Sequence, residues 1–349
     1  TKYQAKRLCP GIVFVTANNK RYAQICAQLS EICLRFTPDI EIYSIDEVFL
    51  DITGSHHLLS GPENVARSIK NHVKEELGLT CTVGIGSNIL IAKLASDLAK
   101  PDGLLWITDD SIQHVFEHLP VRKLWGIGSH TEEKLRMLGI RTCGELGRAP
   151  VHLLTKTFGV TGERLKDMGC GRMDRPLEVE SGGPKSIGHS TTFPADMGER
   201  EEITGCLLRL CERVGRRARR YGYKGNKITL TIRYSDFKTF TKQATLPVGT
   251  NDTGEIYRFV LSILDKIHLK KRVRLLGVTI SNLTMDGGQM SLFDEAYNEK
   301  RQALAKAVDA VNEKFGEHTI TLASTVAQKE GPGVISPAWR PTGVRKSDA

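Results

Sequence analysis

At 349 residues the chain exceeds what one ordinary hydrophobic core serves, so two to four domains are expected. A hydrophobic fraction of 40% excludes a disordered chain, and a net charge of +9 favours a polyanionic partner without naming one. No uncharged run of 18 residues offers a membrane-spanning helix, and nothing reads as a signal peptide. Eight cysteines without a CxxC pair or clustered His argue against structural zinc and for reduced, buried thiols in a cytoplasmic protein.

The chain opens Thr1-Lys2-Tyr3, without Met and inside a basic helix-like stretch, and reads as a fragment of a longer protein. Residues 1–17 form a remnant ending in the apolar run Ile12–Val15. From Arg21 to about Arg35, Ile25, Leu29 and Ile32 recur at helical spacing, which predicts a helix. Two β-rich runs, 41–45 and 48–53, flank Asp46 and Glu47. A helix over about 63–77 leads into a strand at 80–85. Ser87 or Asn88 then caps a helix that ends at Lys100, because Pro101 cannot continue it. This alternation makes 18–108 one α+β domain.

Residues 109–175 look purely helical with glycine-marked turns, and 176–185 has linker composition. A second α+β block, 186–286, reads strand 186–193, helix 202–221, strands 227–234 and 239–246, helix 253–268 and strand 274–282. That βαββαβ order resembles a split βαβ unit. Residues 287–349 hold the sequence Gln289–Phe293, a polar helix over about 295–314 and a Pro/Gly-rich end.

Asp46 and Glu47 are adjacent carboxylates in an otherwise apolar stretch. Neighbours in a regular strand point to opposite faces, so only a turn lets both address one ligand. Apolar flanks then call for a metal or a basic partner, because burying unpaired carboxylates costs several kcal/mol. Hard oxygen ligands suit Mg²⁺; the alternative is a solvated turn. Asp51 is expected to be structural. Lys93 and Lys100, seven residues apart, share a helix face where an ammonium can meet a triphosphate, with Lys100, fixed by Pro101, preferred; the alternative is a solvated face. No GxxxxGK[ST] is present, which disfavours the P-loop class.

Gly126-Ile127-Gly128 joins two helical segments and leaves backbone N–H groups at a helix start, an anion site suited to a DNA phosphate or else a plain helical turn. Phe158–Gly162 is a weaker second copy. On the 202–221 helix, Ile203, Leu207, Leu210, Val214 and Ala218 form one face. Arg209, Arg213, Arg216, Arg217 and Arg220 line the other, where they repel one another unless phosphates neutralise them or solvent screens them.

At these residues the chain resembles the Y-family, translesion DNA polymerases, and their bacterial DNA polymerase IV and UmuC-like branch in particular. Ser44–Asp51 is similar to the family's second palm carboxylate motif, Ser87–Gly103 to its triphosphate-side helix, Trp125–Gly128 to its thumb hairpin, and Lys185–His189 to the start of its little finger. The resemblance implies a multidomain α+β fold: a palm-type sheet with helices (18–108), a helical thumb with a helix–hairpin–helix (109–175) and a βαββαβ little finger (186–286), with 1–17 a remnant of the fingers. It implies that Asp46 and Glu47 bind two Mg²⁺ and form the catalytic centre, and that Lys100 contacts the incoming dNTP. Gly126, Ile127, Gly128, Arg213, Arg216, Arg217 and Arg220 would bind primer–template DNA. Gln289, Leu292 and Phe293 look like a sliding-clamp-binding peptide, and a monomer is expected.

The family's first palm strand, with a further metal-binding aspartate, would precede residue 1. This chain alone is therefore expected not to extend a primer. A second class consistent with the residues is a non-catalytic DNA- and clamp-binding protein. A helix–hairpin–helix nuclease is weaker, since no second acidic cluster with suitable spacing is present.

Overall fold

The structure, a computed structural model, describes residues 1–179, 183–285, 295–316 and 319–323. It divides into a first unit ending at Ser181 and a second beginning at Gly182.

The first unit begins with α1 (Lys2–Leu8) and α2 (Asn19–Leu34), the latter started by Asn18, whose side chain accepts from the Arg21 amide. β1 (Ile40–Ile42) and β2 (Val48–Leu50) form an antiparallel hairpin in the register Ile40↔Leu50. Helix α3 (Pro62–Leu77) has Pro at its first turn and stops at Gly78, which takes a left-handed φ of 65°. It packs on α2 and the turn after it through Ile32, Phe36, Val65, Ile69 and Val73. β3 (Val83–Ile85) leads through α4 (Ile89–Ala99) to β4 (Leu104–Trp106), paired parallel with it. The predicted strand 80–85 is thus shortened to three residues, and the predicted helix end at Lys100 falls one residue past Ala99. Asn88, one of the two predicted caps, accepts from the amides of Leu90 and Ile91.

Five helices follow: α5 (Asp109–His118), α6 (Ser129–Met137), α7 (Cys143–Arg148), α8 (Val151–Phe158) and α9 (Thr161–Gly169). Their core includes Phe116, Leu124, Leu135, Leu146, Leu154 and Leu165, and it also takes in Leu90, Ile91, Leu94 and Ala95 of α4. The expected boundary at 108/109 therefore crosses one continuous core. The expected linker at 176–185 is likewise engaged at its start, because the Glu178 amide donates to Glu41 of β1 at 3.0 Å.

The second unit is a four-stranded antiparallel sheet of β5 (Ser186–Met197), β6 (Tyr223–Tyr234), β7 (Thr239–Thr250) and β8 (Val273–Met285), in the order β5-β8-β6-β7. Helix α10 (Arg200–Arg220) connects β5 to β6, and α11 (Thr253–Leu264) connects β7 to β8. Each connection spans one intervening strand, so the chain forms two interlocked split βαβ units, as the element order predicts. The strands run longer than expected; β5 continues past Phe193 across a bulge and β7 to Thr250. Pro194 and Pro247 are accommodated because β5 and β7 are the edges. Both helices cover one sheet face, where Leu207, Leu210, Val214, Ile256 and Val260 meet Ile228, Leu230, Ile232, Val278 and Ile280. Helix α12 (Glu295–Phe315) follows, and the buried Asn312 holds the chain after it by exchanging two 2.8 Å hydrogen bonds with the Ile320 backbone.

The cysteines sort sharply. Burial pushes the Cys33 and Cys143 thiols up to about 12 and Cys206 up to about 11, and raises Cys211 further, whereas Cys9 is exposed. The thiolate is the reactive form. A disulfide-exchange reagent at pH 8 is therefore expected to label Cys9 within minutes, and Cys33, Cys143, Cys206 and Cys211 only on unfolding. Peptide mapping reads the order, and early labelling of Cys211 would contradict this packing.

Candidate active site

Asp46 and Glu47 lie in the loop joining β1 to β2, not within either strand. The Glu47 carbonyl closes that loop, accepting from the Tyr43 amide at 2.9 Å and the Ser44 amide at 3.1 Å. Asp46 is exposed, and its Oδ1 accepts from the Ser44 hydroxyl at 2.7 Å. Glu47 is half-buried, and the Lys93 ammonium of α4 donates to its Oε1. Asp46 and Glu47 thus sit in a turn and not in a regular strand, and Lys93 is the basic partner of Glu47.

Among the described residues no group of three or more His, Cys, Asp or Glu side chains is placed to hold a metal. The donor chemistry of Asp46 and Glu47 nonetheless fits Mg²⁺, which commonly takes one or two protein carboxylates and completes its shell with water and phosphate oxygens. Asp51 is a separate matter. Its side chain accepts from Thr53, and that bonding holds its carboxyl below the usual aspartate range.

Lys93 and Lys100 do not act as a matched pair. Lys100 sits just beyond α4 in extended backbone, mostly exposed, and its ammonium donates to Asp97 at 2.7 Å. That hydrogen bond holds it above the usual lysine range, with Glu47 and Asp46 adding to the effect. The turn after it is fastened by Lys70 of α3, which donates to Cys81 O and Asp102 Oδ1 at 2.5 Å and to Asp102 O at 2.9 Å. Sequence spacing found both lysines and preferred Lys100, fixed by Pro101; Lys93 is the one that bonds Glu47, while Lys100 feels the charges of Glu47 and Asp46.

The Gly126–Gly128 hairpin joins a short 3-10 turn, Val121–Lys123, to α6. Gly126 takes a φ of 94°, and Gly128 caps α6 without any side-chain acceptor, leaving the first amides of that helix open to an anion. Ile127 departs from the expectation: its side chain is buried in the helical core and its amide donates to Leu124 O at 3.1 Å. It anchors the hairpin from beneath. In the second copy, Gly159 takes a φ of 61° between α8 and α9, and Val160 is exposed.

The arginine ridge of α10 is largely engaged within its own unit. Arg213 Nη1 lies 2.9 Å from His189 Nε2, and Arg217 Nη1 donates to Gly188 O at 3.2 Å. Arg220 pairs with Glu313 of α12 at 3.4 Å, beside a two-pronged pair between Arg219 and Asp309. Arg216 is half-buried, and no ion pair forms on it among the described residues. The sheet face opposite the helices is different. Its cross-strand rows read Ser186–Ser281–Lys227–Thr245, Gly188–Thr279–Thr229–Gln243, Ser190–Gly277–Thr231–Thr241 and Thr192–Leu275–Arg233–Thr239, with no acidic side chain. This face was not expected from the sequence; the alternation of Thr229, Thr231, Thr239, Thr241 and Thr245 is the signal that could have found it. Gln289, Leu292 and Phe293 lie outside the described residues.

The comparisons agree with this architecture. The impB/mucB/samB family matches residues 1–97, its helix–hairpin–helix motif 109–140, and its C-terminal domain 184–292. A DNA polymerase IV of Desulfatibacillum aliphaticivorans is 37% identical over 326 residues, 92% of this chain and 82% of the relative. One of Pelotomaculum thermopropionicum is 36% identical over 92% of this chain and 80% of the relative. Among solved structures, a Y-family DNA polymerase chimera of Dbh and Dpo4 shares the fold with a TM-score of 0.72 at 24% identity, covering 81% of this chain and 82% of that one. The chain belongs to the Y-family of DNA polymerases.

The position of Lys93 depends on close packing of β3 on α4. A Cβ added at Gly84 would lie 2.1 Å from Ala92 O and 2.2 Å from the Ser96 amide nitrogen, so α4 would have to move. Gly84→Ala is expected to destabilise the first unit by about 1–3 kcal/mol or more. Gly54→Ala, which meets nothing within 4 Å, is the control and is expected to melt like the parent. Equal melting temperatures for both variants would contradict the tight α4 contact.

Proposed function

We propose that this protein carries out template-directed nucleotidyl transfer on primer–template DNA, including past damaged bases, with Asp46 and Glu47 as its Mg²⁺ ligands. The observation that carries the reading is the carboxylate pair on a closed loop, faced by Lys93, in a chain of this family. Bound Mg²⁺ would supply charge neutralisation at the reacting phosphate and the attacking 3′ oxygen. Lys93 holds Glu47 in place until a cation competes for it, and Lys100, kept protonated by Asp97, is available to the triphosphate of a dNTP.

DNA is gripped at two kinds of surface. The open first amides of α6, which Gly128 caps without a side-chain acceptor, take a backbone phosphate without reading sequence. On the second unit we assign the duplex to the open sheet face, because hydroxyls, Lys227 and Arg233 suit phosphate oxygens and no carboxylate opposes them. The α10 ridge lies on the opposite face, where the acids of α12 already neutralise Arg219 and Arg220. Gln289, Leu292 and Phe293 are proposed as a sliding-clamp peptide.

Asp46→Ala, made in the protein expressed from its complete coding sequence, is expected to slow Mg²⁺-dependent primer extension by about a hundredfold or more, the effect of losing about 3 kcal/mol of charge stabilisation. DNA affinity should change less than about threefold; extension at the parental rate would remove the assigned metal site. In salt titrations of DNA binding, Lys227→Ala is expected to make the log–log slope shallower by about one unit, and Arg220→Ala to leave it unchanged. The reverse result would return the grip to α10. Leu292→Ala combined with Phe293→Ala should weaken a clamp pull-down at unchanged DNA affinity, and equal capture would refute the peptide assignment.

A further inference from the structure

Glu41 is a buried carboxylate on β1, its side chain wholly inaccessible, and Arg175 pairs with it at 2.7 Å from the far end of the first unit's sequence. The Glu178 amide adds a second hydrogen bond to the other carboxylate oxygen. The Arg175 guanidinium also lies over the Trp125 ring, 5.7 Å from its centroid. Trp125 in turn meets Tyr43 edge-on at 5.0 Å and Phe49 at 6.0 Å, one residue from each strand side of the hairpin that carries Asp46 and Glu47. The next residue after Trp125 is Gly126, the start of the phosphate-binding turn. A closed circuit of contacts therefore runs from the carboxylate hairpin through Glu41, Arg175 and Trp125 and back to the same hairpin.

Each link is costly to break. Removing one partner of a buried ion pair leaves an uncompensated charge. Arg175 Nη1 is itself buried with no hydrogen-bonding partner among the described residues, so the guanidinium is held by Glu41, by the Glu178 carboxylate at 3.6 Å and by the indole face, and not by its full set of donors. Aromatic pairs and a cation over a ring fix angle as well as distance. Nothing about unfolding resistance requires such a circuit to end beside a glycine turn; a reaction that needs one backbone phosphate at a fixed offset from one metal does require it.

We propose that Trp125, Arg175 and Glu41 are positioning residues that set the register between the phosphate-binding turn at Gly126–Gly128 and the carboxylates Asp46 and Glu47. They touch neither DNA nor metal, and act by fixing which primer phosphate stands at the turn when the 3′ end stands at the carboxylates. This rests on the proposed metal and phosphate roles, so the test separates the two.

The experiment replaces Mg²⁺ with Fe²⁺ in the complex of the protein with end-labelled primer–template DNA, in the presence of dioxygen and a thiol reductant. Hydroxyl radicals formed at the bound iron cut the DNA beside it, and the cut position reports register without any nucleotide addition. The parent is expected to cut within one or two nucleotides of the primer end, and Asp46→Ala to abolish that cut. Trp125→Ala and Glu41→Gln are expected to spread the cut over several nucleotides while DNA affinity changes less than about threefold. Trp125→Phe, which keeps an aromatic face for Arg175 and Tyr43, should restore the sharp pattern. If Trp125→Ala melts out, Glu41→Gln and Trp125→Phe still decide the matter. Sharp cutting by both Trp125→Ala and Glu41→Gln overturns the positioning role. A parental cut that survives Asp46→Ala, or no localised cut by the parent, overturns the metal assignment instead, and the positioning role with it.

Discussion

Helix α4 must satisfy two neighbours at once, and the first unit is arranged around that demand. Leu90, Ile91 and Leu94 bury one side of it in the core of the helical cluster, while Gly84 lets β3 lie against its backbone on another. Toward the hairpin α4 presents Lys93, largely shielded from water, and it reaches Glu47. A charge so placed needs a partner, because solvent is not there to supply one. The carboxylate loop, the helix and the helical cluster are therefore held in one arrangement by packing on one side of α4 and electrostatics on the other.

Much of the fold was legible because its determinants are local. Asn88 before an apolar helix, Pro62 and Gly78 around α3, and Pro101 after α4 each act within a few residues, and the elements appear where they indicate. The βαββαβ order of the second unit follows from the change between two-residue and helical periodicity. Strand ends were less legible. β5 and β7 extend because neighbouring strands offer hydrogen bonds, a fact no local pattern contains.

The candidate site was legible where its chemistry sits on neighbouring residues and illegible where it joins distant ones. Asp46 and Glu47 announce themselves as adjacent acids in an apolar stretch. Glu41 and Arg175, separated by 134 residues, do not. The α10 arginines make the same point from the other direction. Arg220 of the expected row meets Glu313, and its neighbour Arg219 meets Asp309, partners some ninety residues later that no local pattern contains. Local charge density counts cations; only tertiary structure counts which of them are already neutralised.

The prolines at the two outer strands of the second unit bear on behaviour at high local concentration. A twisted sheet of this length would ordinarily offer unpaired amides along both borders to a second copy of itself. Pro194 in β5 and Pro247 in β7 each delete one donor from those borders, and the bulge in β5 bends its end away from the regular ladder. Each missing donor leaves those borders a poorer template for edge-to-edge pairing with a second copy of the sheet.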